Sequence, residues 1–249
     1  MHIYTLLTQL LWEQLSLHIQ AHFLWDFPNH EAPMTIPEQK TNWNKNWKNE
    51  KIGFHQAQTS PSLLQYAHIL DEERTILVPL CGKTLDMHFL HQRNHCVIGV
   101  ELIPKAIDDF FQEWGVVPTK KKDRFWYEQI TIINQNIFAI QPPTIPTIDG
   151  IFDRAALVAL PTHIRAQYAR HLLTLLKDEG TLLLITYDLP RSQEKGPPFA
   201  VRQNDVPKLF ARASSVELLK EIHKTPKEEP SLSSRGVAWS KEHVWLIRK

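Results

Sequence analysis

Apolar and polar positions along this 249-residue chain switch between two periods, and the switching predicts a series of strands and helices. Residues 42–51 are polar except for Trp43 and Trp47, which stand four apart and so share one face of a short helix. Ser62 opens a helical run through Leu63, Leu64, Tyr66, Ala67 and Leu70. Residues 75–80 (TILVPL) form a short apolar run, which reads as a buried strand. Residues 85–93 have helical spacing, and residues 95–101 make a second buried strand. Pro104 suits the first position of a helix carrying Ala106, Ile107, Phe110, Phe111 and Trp114. Residues 130–134 and 148–154 are two more strands. Thr162 is placed to cap a helix running to Leu176, Gly180 closes the connection, and residues 181–187 are a fifth strand. Residues 206–210 form a short helix, and residues 216–222 and 243–247 an apparent hairpin.

Strands alternating with helices predict an α/β fold: a mostly parallel sheet with helices on both faces. Ligands of such sheets bind outside the carboxyl ends of the strands, where the strand order reverses. The informative residues are therefore those following the strands at 75, 95 and 148. Residues 1–33 are different, rich in Leu, Trp, Phe, His and Gln, with helical spacing at Leu6, Leu7, Leu10, Leu11 and Leu15. They lack the basic start and small-residue cleavage site of a signal peptide. An interfacial helix would want Lys or Arg, absent here. The expectation is an extension of 1–33, with Met34 a possible true start, ahead of one domain over 34–249.

Composition narrows the function. Lys+Arg is 28 against Asp+Glu 27, a net charge of +1, which gives no field for nucleic acid. No apolar run is long enough to span a membrane, and two cysteines suit a reduced, cytoplasmic protein. Glycine is scarce, eight residues, about half the usual share.

That scarcity bears on the turn Pro79-Leu-Cys-Gly-Lys-Thr84. Gly82-Lys83-Thr84 has the end of a P-loop but not its first glycine, since position 77 is Leu77. The three-glycine dinucleotide turn is also absent, so neither a triphosphate nor a pyrophosphate is accommodated. Glu101, 19 residues past Gly82, stands where ribose hydroxyls are bound. A nucleoside ligand without pyrophosphate points to S-adenosyl-L-methionine.

Trp43-Asn-Lys-Asn-Trp47, Gly53-Phe-His-Gln56, Val78-Pro-Leu-Cys-Gly-Lys83, Gly99-Val-Glu101, Asp153-Arg-Ala-Ala-Leu157 and Gly196-Pro-Pro-Phe199 occur in this order. Together they resemble the thiopurine S-methyltransferase family, especially its bacterial members, from Asn42 to the C-terminus. The resemblance implies a class I methyltransferase sheet of seven strands ending in an antiparallel hairpin. It implies that Trp43, Trp47 and Phe54 close over the cofactor, that Leu80 and Gly82 offer backbone to it, and that Glu101 holds the ribose. Asn136 and Ile137 would border the adenine, although Asn136-Ile-Phe-Ala139 lacks the acidic residue many members carry there. Arg154, counted with the cofactor set, and Phe54 would also face the acceptor.

The chemistry implied is methyl transfer to a small thiol-like acceptor, an aromatic thiol or a selenium or tellurium species, by in-line displacement. Alignment and desolvation then do most of the work. Aromatic faces attract a sulfonium cation. Arg154 would stabilise an acceptor anion, and Asp153 would orient that arginine or the cofactor amine. The alternative is a non-catalytic module of the same fold that only binds the cofactor. His88, His91 and His95 have metal-like spacing, but a solvated helix end is the better reading. His55 is either a proton acceptor or part of a packed polar loop. Cys81 and Cys96 lie at opposite ends of neighbouring strands, beyond disulfide reach. Residues 120–124 read as a solvated basic loop, no metal is required, and a monomer is expected.

Overall fold

The computed structural model describes residues 36–190, 196–225 and 236–249. The expectations for residues 1–33 and for a start at Met34 lie outside the described residues. Among the described residues six α-helices follow in chain order: α1 Ile36–Lys48, α2 Pro61–Tyr66, α3 Asp86–Gln92, α4 Pro104–Trp114, α5 Thr162–Leu175 and α6 Val206–Leu209. The nine strands are β1 Thr75–Pro79, β2 Cys96–Val100, β3 Thr119–Lys121, β4 Arg124–Tyr127, β5 Ile130–Ile133, β6 Ile148–Arg154, β7 Leu176–Asp188, β8 Ser215–Lys224 and β9 Ser240–Arg248. They form one sheet in the order β3-β4-β5-β2-β1-β6-β7-β9-β8.

The five central strands, β5-β2-β1-β6-β7, pair in parallel. The sequence runs outward from β1 to one side and resumes at β6 on the other, so the order reverses between β1 and β6. Side chains alternate between two cores as a pleated strand requires. Leu77, Leu182 and Leu184 join Tyr168, Ala169 and Leu172 of α5. Ile76, Val78, Leu183 and Ile185 join Met87 of α3 and Ile107 and Phe110 of α4.

The sheet has two strands more than the seven expected. The additional pair is the antiparallel hairpin β3–β4, covering the stretch read as a solvated basic loop. Lys122 takes the positive φ of 57° at its turn. The hairpin is held by its aromatic residues: Lys120 Nζ lies 4.7 Å from the centre of the Phe125 ring, and Tyr127 meets Trp114 edge-on at 5.1 Å.

Three local expectations are corrected. Ser60 caps α2 by accepting from the Leu63 amide, so Ser62 lies inside the helix. Pro161 occupies the cap position of α5, and Thr162 is its first residue. β7 already begins at Leu176, so Gly180, expected to end the connection before a strand at 181, lies inside the strand, next to Glu179 with its φ of 62°. Gly180 serves close approach instead: a Cβ there would stand 2.7 Å from Leu176 and 2.8 Å from the Asp149 carbonyl. Among the described residues, no helix is long and apolar enough to cross a membrane.

Candidate functional site

Of the residues singled out in the sequence, Leu80, Gly82, Glu101, Asp153 and Arg154 stand at the carboxyl ends of β1, β2 and β6, and Asn136 and Ile137 follow β5. After β1, Leu80 and Gly82 both take positive φ, 47° and 53°. Such a turn breaks off the strand, sends the Cys81 amide to the Val100 carbonyl at 3.1 Å, and for Leu80 carries strain. The Gly82 amide donates to Glu101 Oε2 at 2.8 Å, and the Ile103 amide to Oε1 at 2.8 Å. Glu101 is thus fixed at the end of β2 with a small part of its surface open (7% exposed). Burial raises its pKa, opposed by those backbone donors. A carboxylate has about four acceptor positions, so the Gly82, Ile103 and Leu102 amides leave it able to accept from a ligand hydroxyl.

Above the turn sits an aromatic group. Trp43 and Trp47 of α1 meet the Phe54 ring edge-on, with centroids 5.7 and 5.9 Å away. Trp47 is buried against Ile103 and Ala106 and acts as core, whereas Trp43 and Phe54 stay partly exposed. A Cβ on Gly82 would stand 3.2 Å from the Trp47 ring and 3.6 Å from Phe54. Glycine is needed here for its φ and to let these rings rest on the turn.

At the end of β6, consecutive residues take different partners. Asp153 is fully buried, accepting from the Tyr168 hydroxyl at 2.8 Å and the Leu157 amide at 3.1 Å. Burial lifts its pKa to about 6, against those hydrogen bonds. Arg154 donates to the Phe54 carbonyl at 3.3 Å and lies 3.7 Å from Asp86 Oδ2. The expectation that Asp153 orients Arg154 is corrected: the neighbouring carboxylate is Asp86. Ala155 follows with φ 66°, so the strands flanking the order reversal both end in a left-handed residue. Asn136 accepts from the Phe138 amide and caps the turn Ile137–Ala139; Ile137 is buried in the core on the α5 side.

The family model for thiopurine S-methyltransferases matches residues 38–249. The chain belongs to the thiopurine S-methyltransferase family. It is 35% identical over 215 residues to the thiopurine S-methyltransferase of Nitrosospira multiformis, covering 84% of this chain and 97% of that protein. Among solved structures it is similar to a methyltransferase of Anabaena variabilis described as SAM-dependent (TM-score 0.58, 15% identity, 90% of this chain and 99% of that one). It is also similar to the 1,6-didemethyltoxoflavin-N1-methyltransferase of Burkholderia thailandensis (TM-score 0.57, 13% identity, 88% and 93%). The class I methyltransferase fold and membership of the family make the chain an S-adenosylmethionine-dependent methyltransferase.

Within this family member, Asp86 is the residue that sequence reasoning passed over. It is buried in the first turn of α3 and receives the Ser60 amide at 2.7 Å and the Thr84 hydroxyl at 2.9 Å. It therefore joins the segment after Phe54, the turn after β1, and Arg154. The signal was present as Thr84-Leu-Asp86, a hydroxyl two residues before an acid at a helix start. Asn134, also missed, donates to the Glu101 carbonyl at 2.9 Å and steadies the end of β2.

The histidines are packed, not solvated. His88 stacks on Phe110 at 4.7 Å, His91 pairs with Glu128 at 2.8 Å, and His95 is buried with Nδ1 2.7 Å from the Glu73 carbonyl. Among the described residues, no group of His, Cys, Asp and Glu is placed to hold a metal ion. Cys81 is buried and Cys96 exposed, both free, with Cys96 paired to Thr75 at the far end of β1.

Proposed function

We propose that this protein transfers the methyl group of S-adenosylmethionine to a small thiol-like acceptor, an aromatic thiol or a selenium or tellurium species. The observation that carries the reading is the Gly82–Glu101 bond beneath Phe54, with Arg154 attached to the Phe54 backbone. When bound, S-adenosylmethionine supplies an electrophilic methyl group on a sulfonium. Glu101 accepts from the ribose hydroxyls, Leu80 and Gly82 present backbone to the methionine part, and Asn136 and Ile137 border the adenine. Trp43 and Phe54, with Trp47 behind them, place aromatic faces near the cation and exclude water.

Arg154 holds the acceptor's anionic atom. At 3.7 Å from Asp86, it keeps a counterion yet can still turn toward a ligand. Asp153 supports the strand end through Tyr168 and the Leu157 amide. We assign the methyltransferase domain to residues 34–249, with 1–33 as an extension.

Transfer of labelled methyl to a panel of aromatic thiols, alkyl thiols, selenite and tellurite tests the proposal. Product on any member supports it and names the acceptor class. Cofactor binding without transfer to any member would favour the non-catalytic module.

A further inference from the structure

We propose that His55 accepts the proton of a thiol acceptor while Arg154 holds the sulfur anion that results. The inference rests on the thiol reading above and adds to it the group that receives the proton. His55 directly follows Phe54, which is fixed at both ends: its ring lies between Trp43 and Trp47, and its carbonyl receives Arg154. The His55 amide donates to the Ile52 carbonyl at 2.8 Å, closing the turn that carries the imidazole. The side chain is half-buried, and among the described residues its ring makes no hydrogen bond, so both nitrogens remain available to a ligand.

The charges around the ring come from four places: Lys83 in the turn after β1, Arg154 at the end of β6, Asp86 on α3 and Glu113 on α4. Lys83 is itself bound to Glu113 at 2.5 Å. Burial, then Lys83 and Arg154, push the His55 pKa below its ordinary value of 6.5, while Glu113 and Asp86 oppose this without reversing it. The imidazole is therefore neutral at pH 7, the form that accepts a proton.

In the step, the S–H bond breaks, its proton bonds to an imidazole nitrogen, and its electron pair stays on the sulfur beside the Arg154 guanidinium. The imidazolium then returns the proton to water across the exposed part of the ring. The same cations that hold His55 neutral favour the sulfur anion and disfavour the imidazolium, so the imidazolium forms only transiently before its proton passes to water.

The test compares parent and His55→Gln on aromatic and alkyl thiols of increasing pKa. The expected loss in kcat/KM grows along the series, to about 100-fold on the least acidic thiol. The parent profile should rise with pH through a pKa below 6.5, and that limb should disappear in the variant. Imidazole added to His55→Ala should restore rate most on the least acidic thiols. A readout without turnover is the ultraviolet spectrum of an aromatic thiol bound with S-adenosylhomocysteine. The parent should ionise it at a lower pH than His55→Gln does. An equal loss on every thiol, with the limb and the bound-thiol spectrum unchanged, would overturn the role of His55 while leaving the thiol reading intact. Failure of the parent to methylate any thiol would overturn both.

Discussion

Arg154 and Asp86 face each other with Nη1 3.7 Å from Oδ2, their side chains only 8% and 2% exposed. The pair is not held by a short hydrogen bond. Both carboxylate oxygens of Asp86 are already engaged, one by the Ser60 amide and one by the Thr84 hydroxyl. Asp86 therefore acts as a fixed negative charge beside a guanidinium that remains able to serve a ligand.

Removing that charge has a cost set by what it leaves behind. Asp86→Ala leaves the Ser60 amide without its acceptor and the buried Arg154 cation without its counter-charge, and should destabilise the fold by about 3–5 kcal/mol. Asp86→Asn keeps an acceptor for one donor and should lose clearly less. Urea unfolding of both variants checks the order.

Asp153 predicts an unusual pH dependence. Its pKa is about 6 in the folded protein, because burial outweighs Tyr168 and the backbone donors. In the unfolded chain the carboxyl titrates at about 3.9. Between about pH 4 and 6 the folded state thus binds a proton that the unfolded state has lost, and stability falls as pH rises, by about 3 kcal/mol over the window. Asp153→Asn still offers Tyr168 an acceptor and should abolish this contribution. Unfolding free energies measured from pH 4 to 8 should diverge between parent and variant, the parent losing more with rising pH; parallel curves would contradict the assignment.

Trp43 and Trp47 should separate binding from stability. Trp47 is core (3% exposed), and Trp47→Ala should cost about 3–5 kcal/mol of stability. Trp43 is partly exposed, so Trp43→Ala should change stability far less and act mainly on cofactor affinity. Thermal unfolding alongside cofactor titration distinguishes the two effects.

Gly82→Ala meets two obstacles, a φ of 53° and the Trp47 ring 3.2 Å from the added methyl. It should lower stability by about 1–2 kcal/mol and weaken cofactor binding, because the amide bound to Glu101 is displaced. Unchanged affinity in a folded variant would show that this turn does not form the cofactor site.

What the chain reveals before folding depends on where its signals are local. β1 and β2 are short apolar runs, and their buried positions were legible because little else explains such runs. The β3–β4 hairpin was not, since Lys120, Lys121 and Lys122 are exposed as a solvated loop would be, and the strand pairing shows only where Phe125 and Tyr127 meet Lys120 and Trp114. Gly180 was read as the end of a connection, but β7 already runs through it and the glycine answers to Leu176 and Asp149. Glu101 and Gly82 could be placed from their spacing alone. Asp86, Tyr168 and Asn134 could not, because each acts on a residue distant in sequence.

The central claim is that Glu101 anchors an adenosyl cofactor at the turn after β1. Calorimetric titration of S-adenosylmethionine into the parent and into Glu101→Ala tests it most directly. The parent should bind at a single site, and the variant should bind about 100-fold more weakly, the loss expected for hydroxyls that no longer reach a carboxylate. Absence of binding by the parent, or equal affinity in a folded Glu101→Ala, would contradict the account.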